Sequence, residues 1–273
     1  MSFKNILVAF NGSEGAVTAL KYAAGLTLPD THVTVLLAHS RHDVSGSGGK
    51  WVPASAREII AQANAAFLDE IEARYAAVAD TLDLGERLHF HREEGRVDTV
   101  VSETARAFDL LVIGQDAPNE GVDEHVFLHP DRIALVSGRP ILIVPQGYDP
   151  KATHSHAVLA WDGGRAAARA LSDALDLLED QGRVTVLSIG ETDAPRPADD
   201  LMTHLARHGV TADRERIPAS PGPARALIAY CEQKDPCLLV MGAYEHSKFR
   251  EDFLGGMTAR VFKRTPIPVL LSH

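Results

Sequence analysis

The 273-residue chain has little cysteine: Cys231 and Cys237 are all there is. Two cysteines lay out no disulfide framework, and their ordinary reading is a pair of free thiols in a reducing compartment. Long apolar runs are missing as well. None approaches the ~18 residues that a membrane-spanning helix requires. The start, MSFKNILVAFNGSE, has one lysine and a short apolar run broken by Asn11 and Gly12. It has neither the length nor the cleavage-site pattern of a secretory signal. These absences lead to the expectation of a soluble, cytoplasmic protein with no membrane partner.

Positive charge is also short. There are 27 Lys and Arg against 37 Asp and Glu, for a net charge of −10. That balance argues against a nucleic-acid partner held by a general electrostatic field, although a local basic site for one small anion remains open. Several phosphate and nucleophile motifs are absent. There is no G-x-x-x-x-G-K-[ST], no G-x-G-x-x-G opening a βαβ unit and no G-x-S-x-G elbow. SGSGG at residues 45–49 leads into KWVPAS and does not follow a strand. It reads as a loop, together with the Gly/Ser-rich stretch 41–53 around it.

What the chain does contain is a copy of itself. NILVAFNGSEGAVTALKYA (5–23) resembles AVLAWDGGRAAARALSDAL (157–175). HVTVLLA from His32 resembles RVTVLSI from Arg183, and FDLLVIGQ from Phe108 resembles DPCLLVMGA from Asp235. GRPILIVPQ from Gly138 resembles TPIPVLLSH from Thr265. Four matches in one order indicate a duplicated domain. The polar, Gly- and Pro-containing stretch QGYDPKATHSH (146–156) is the expected junction, giving domains at 1–148 and 155–273.

Within each half, short apolar runs alternate with helical patterns. ILVAF, VTVLLA, LHFHRE, LLVIG and ILIVP are strands in the first half, with VLAWD, VTVLSI, DRERIP, CLLVMG and PVLLS as counterparts. Runs such as LLVIG are apolar at both parities, as a strand covered on two faces must be. Val17, Leu20 and Ala24 share one helix face, and Ile60, Ala63, Phe67, Ile71 and Val78 share another. The expected class is α/β, with two tandem mostly parallel five-stranded sheets and helices on both faces. Ligands of such sheets bind beyond the carboxyl ends of the strands, where strand order reverses.

These segments resemble a tandem universal stress protein (UspA-like), two such domains in one chain. VLAWDGGRAAARAL (158–171) and VMGAYEHSKFREDFLGGMTARVFKRTPIPVLL (240–271) carry the resemblance best. It implies an adenine nucleotide alpha hydrolase-like fold, pairing through the last strand, and no agreed catalytic reaction. It also implies, for one branch, ATP held by Gly, two residues, Gly, nine residues, Gly and a hydroxyl residue. Here Gly242 matches the first glycine and Gly255 the third. Glu245 stands in place of the second glycine, and Gly256 in place of the hydroxyl residue. Met241 precedes the motif, Met257 and Thr258 continue it, and Asp162 matches the acidic residue near the adenosine. The resemblance thus implies a nucleotide site of Asp162, Met241, Gly242, Gly255, Gly256, Met257 and Thr258, for ATP or AMP with magnesium.

The physical logic is that glycines let backbone N–H groups approach phosphate oxygens, and that a helix starting after Gly256 directs its dipole at the anion. Glu245 opposes this with a like charge, which Lys248, Arg250 and His246 offset. In the first half Ala117, Phe127 and Leu128 occupy the motif positions, Asn11 replaces the acidic residue, and Asp116, Glu120, Asp123 and Glu124 make the loop acidic. That half is expected to bind no nucleotide triphosphate and to pair with the second domain.

His89, His91 and Glu93 alternate as metal ligands can, but an exposed edge strand is the plainer reading, and no metal is expected. His154 and His156 read as polar linker. Ser247 beside His246 and Glu245 forms no triad, because adjacent residues cannot take that geometry, and no catalytic residue is assigned. Three functions stay open: a stress-response protein binding an adenine nucleotide in its second domain, a ligand-free scaffold acting through protein partners, and a slow nucleotide hydrolase. The chain either remains a monomer, its two domains paired internally, or forms a homodimer.

Overall fold

The computed structural model describes residues 3–41, 53–116, 121–149, 156–180, 182–190, 199–243 and 257–273. The first half runs β1 (Asn5–Ala9), α1 (Glu14–Gly25), β2 (His32–His39), α2 (Ala54–Ala79), β3 (Leu88–Glu94), α3 (Val97–Ala105), β4 (Leu110–Gln115), α4 (Pro130–Val136) and β5 (Ile141–Pro145). The second repeats the order: β6 (His156–Ala160), α5 (Arg165–Glu179), β7 (Arg183–Ile189), α6 (Asp199–Arg207), β8 (Ala212–Ile217), α7 (Pro223–Lys234), β9 (Leu238–Gly242), α8 (Met257–Arg264) and β10 (Val269–Ser272). The ten strand segments named from the sequence are the ten strands observed.

All ten form one sheet in the order β3-β2-β1-β4-β5-β10-β9-β6-β7-β8. Within each half every pairing is parallel, while β5 and β10 meet antiparallel, with Leu142 opposite Leu270. The order is therefore mirrored about that junction, as expected of two copies related by a local two-fold axis. The outer edges, β3 and β8, carry the polar sequences LHFHREE and ADRERI. Charged edges of this kind discourage further strands from adding to the sheet.

Alternation sorts the strand residues onto two faces. Ile6, Val8, Val112 and Leu142 pack on one side with α1 residues such as Leu20. Leu7, Ala9, Ile113 and Ile143 pack on the other with Val101 of α3 and Ile133 of α4. Each fully buried aliphatic side chain contributes about 1.5–3 kcal/mol, so this double cover is what holds a parallel sheet. On α2 the inward stripe is Leu68, Ile71 and Val78, with Phe67 half-buried and Ala63 exposed. Leu68 was missed, and Ala63 wrongly included, because that helix covers the sheet only along its second half.

The chain leaving β5 is held by Gly147 and Tyr148. The Gly147 N–H donates to Thr18 Oγ1 at 3.1 Å, and the Tyr148 hydroxyl donates to the Cys237 carbonyl at 3.3 Å. The Tyr148 ring packs on Tyr22 with centroids 5.8 Å apart. Burial pushes the Tyr22 hydroxyl up and that of Tyr148 up to about 12. Across the junction, Gln115 Nε2 donates to the Lys263 carbonyl at 2.8 Å. His156 is not linker: it opens β6, and its Nε2 lies 2.9 Å from Thr185 Oγ1.

Candidate functional site

In each half the first strand lies between the second and the fourth, so chain direction across the sheet reverses at the ends of β1/β4 and β6/β9. At such a switch point neighbouring connections leave to opposite faces and open a crevice. Of the sequence-assigned residues of the second half, Asp162 and Gly242 stand at these strand ends. Asp162 stands two residues beyond β6, and Gly242 closes β9. Registered neighbours Leu159 and Val240 bring those two strand ends side by side. Met257 and Thr258 open α8. Gly255 and Gly256, like Glu245, lie outside the described residues. Met241 turns its side chain into the core with Val261 and Phe262, leaving only its backbone to the rim.

Asp162 is exposed, and its Oδ1 accepts the Gly164 N–H at 2.8 Å. Gly163 between them has φ +80°, a left-handed turn that suits glycine. Asn11 does the same in the first half, its Oδ1 accepting the Ser13 N–H at 3.1 Å across Gly12, also at φ +80°. The backbone repeats too. The Phe10 N–H donates to the Leu36 carbonyl at 2.9 Å, and the Trp161 N–H to that of Leu187 at 2.8 Å. The duplication thus extends to individual hydrogen bonds.

Gly242 has a reason for being glycine that involves no ligand. A β-carbon there would stand 2.5 Å from the Ala166 carbonyl carbon and 2.6 Å from Ala167 N, at the start of α5. In the first half a β-carbon at Gly114 would stand 2.1 Å from the Gly15 carbonyl carbon. Both glycines let the first helix of their half lie directly on the fourth strand.

The crevice of the first half is crossed by its own polar side chains. In the first half, Asp116 spans the strand ends: its Oδ1 accepts from Ser13 Oγ at 2.5 Å and its Oδ2 from Asn11 Nδ2 at 3.2 Å. Ser13 Oγ in turn accepts the Ala16 N–H at 3.0 Å, capping α1. Asn11 and Asp116 were each noted as departures from the nucleotide pattern, but their pairing and the part of Ser13 were not. Ser13 before an Ala-rich helix was a readable capping signal.

Among the described residues no group of three or more His, Cys, Asp and Glu is placed to hold a metal ion. His89 and His91 are exposed on edge strand β3, and His89 Nε2 lies 3.0 Å from Nδ1 of His32, ring on ring. No described helix is long and apolar enough to cross a membrane.

Comparison with known proteins agrees with the duplicated architecture. The model of the universal stress protein family matches residues 2–126 and again 154–273. Universal stress protein Slr1230 of Synechocystis is 24% identical over 289 aligned residues, covering 98% of this chain and 99% of that protein. A universal stress protein from Archaeoglobus fulgidus superposes with a TM-score of 0.69 at 15% identity, covering 98% of this chain and 95% of its own. The functionally unknown protein PA1789 from Pseudomonas aeruginosa superposes at 0.60 with 18% identity, covering 99% and 92%.

Proposed function

The chain belongs to the universal stress protein family as two domains in tandem, and from that premise we propose that it is a stress-response protein whose second domain takes an adenine nucleotide. The observation that carries the reading is the exposed Asp162 carboxylate beside the end of β9, at the switch point where an α/β sheet receives its ligand. In this reading Asp162 faces the adenosine. Backbone N–H groups around Gly242, Gly255 and Gly256 and at the start of α8, Met257 and Thr258, receive the phosphates. Magnesium accompanies a triphosphate. Residues 1–148 form the companion domain, and residues 155–273 carry the site.

Nucleotide is assigned to the second domain alone because the Asn11–Ser13–Asp116 network puts a carboxylate across the matching crevice of the first. Binding needs no covalent chemistry, and no catalytic residue is proposed. One observation favours a second reading, a ligand-free scaffold that works through protein partners. Gly242 is accounted for by its contact with Ala166, so it lends no weight of its own to a phosphate site.

Denaturing the purified protein and analysing the supernatant separates the two. Released ATP or AMP, with a rise in melting temperature on adding millimolar MgATP, supports the nucleotide reading. A clean supernatant and an unmoved melting temperature support the scaffold. Glu245→Gly sharpens the test: removing a carboxylate from the phosphate side tightens binding, and an unchanged affinity says that the loop holds no phosphate.

A further inference from the structure

The nucleotide reading makes no use of a cavity of about 350 Å³ in the first half. Its floor is the carboxyl ends of β2 and β3, its wall is α2, and its far side is the segment at His125 and Val126. That segment is fastened to the sheet, since the Ser40 N–H donates to the His125 carbonyl at 2.8 Å. The volume lies within the ~300–1,000 Å³ range of small-molecule pockets. Among the described residues the matching helix of the second half, α6, runs nine residues where α2 runs 26.

The lining divides into two chemistries. Ile60, Phe67 and Leu68 of α2, with Val126 opposite, supply apolar surface, and Ile60 and Phe67 are only half-buried. Charged residues complete the lining: Arg41 after β2, Arg57 on α2, Arg92 on β3 and, opposing them, Glu94 at the end of β3. Arg41 pairs with Glu94 at 2.9 Å and Arg92 with Asp69 at 3.4 Å. Arg57 makes no ion pair among the described residues. Three arginines and one carboxylate, Glu94, line the pocket, a local excess of positive charge in a chain of net charge −10. Guanidinium groups match carboxylate, sulfonate and phosphate oxygens with paired N–H donors. Burial, and then the nearby Arg92 guanidinium, hold the His39 imidazole below its usual range.

We infer that this cavity binds a small organic anion with an apolar body, its charged head on Arg57 and Arg92 and its body against Phe67 and Ile60. The site is separate from the second-domain crevice, so the two readings stand or fall independently.

The test uses the intact chain and two fluorescent probes of one shape: 1-anilinonaphthalene-8-sulfonate, an anion, and N-phenyl-1-naphthylamine, its uncharged sibling. The expected result is saturable 1:1 binding of the sulfonate, at least ten-fold tighter than the neutral probe. Octanoate displaces it and millimolar MgATP does not. Arg57→Gln, at a solvent-exposed lining residue outside any ion pair, weakens the sulfonate at least ten-fold with an unchanged melting temperature. Arg92→Gln does the same, and circular dichroism checks its fold. Equal affinity for the two probes means a plain apolar hollow and overturns the proposal. So does an unmoved affinity in Arg57→Gln, failure of octanoate to compete, or displacement by MgATP with matching affinity, which would make the cavity a nucleotide site.

Discussion

The β-carbon that Gly242 lacks would collide with the backbone of Ala166, 2.5 Å from its carbonyl carbon. Gly242→Ala therefore forces α5 off β9. The expected cost is about 1–3 kcal/mol, read as a fall of roughly 2–4 °C in melting temperature for each kcal/mol. Gly114→Ala, with the same fault in the other half, behaves alike. A binding loss in Gly242→Ala is informative about phosphates only after that stability loss is measured, and an unmoved melting temperature would contradict the packing role.

Asp116 is the acceptor of two side-chain donors 103 and 105 residues upstream, Ser13 and Asn11. Asp116→Ala leaves both part-buried donors without their acceptor, which costs about 1–3 kcal/mol. Denaturant titration of the variant is expected to show a lower midpoint. Nucleotide bound by the intact chain should be unaffected, since the proposed site lies in the other half.

Asp162 holds a turn as well as facing the proposed adenosine, and two substitutions separate those roles. Asp162→Asn keeps an oxygen for the Gly164 N–H, as Asn11 shows in the first half. Its melting temperature should match the wild type, while affinity for MgATP falls about ten-fold, the ~1.4 kcal/mol of one charge-assisted hydrogen bond. Asp162→Ala loses both the turn and the affinity. Equal affinity in all three proteins, by calorimetry, would remove Asp162 from the site.

Leu142 and Leu270 oppose each other where β5 meets β10, and both are fully buried. Leu142→Ala and Leu270→Ala should each cost about 2–5 kcal/mol. Because the two side chains share one patch, the double variant should lose less or more than the sum. Simple additivity in chemical denaturation would say that the halves do not share a core there.

Alkaline pH should loosen the protein. Burial pushes the Cys231 thiol from its ordinary 9.0 up to about 12, and the Tyr148 hydroxyl from 10.0 to about 12. The folded state holds these protons more tightly than the unfolded chain. Their contribution is complete below the unfolded values and is lost as pH climbs from about 9 towards 12. Each such group adds a slope of about 1.4 kcal/mol per pH unit. Denaturant unfolding at pH 8, 9 and 10 should show falling stability, with a shallower fall in Cys231→Ala.

Much of the fold was legible because a strand covered on both faces must be apolar at both parities, as LLVIG and CLLVMG are. The duplication was legible for the same reason, since it repeats the covered strands. What escaped depended on partners remote in sequence. Asn11 and Asp116 stood out singly, yet nothing local says they share hydrogen bonds. Gly242 looked like a phosphate glycine, and its contact with Ala166 exists only once α5 lies on β9. Arg41, Arg57 and Arg92 come from three elements whose convergence no spacing announces.

The antiparallel meeting of β5 and β10 has a consequence for how the two halves change over time. Separate chains joined this way would part on dilution, and as identical copies each would inherit every mutation twice. Joined through one peptide, the halves stay together at any concentration, and each can drift alone. One could surrender its crevice to an internal carboxylate and grow a long helix over a new hollow. The other could keep the older shape, with partnership still guaranteed at one to one.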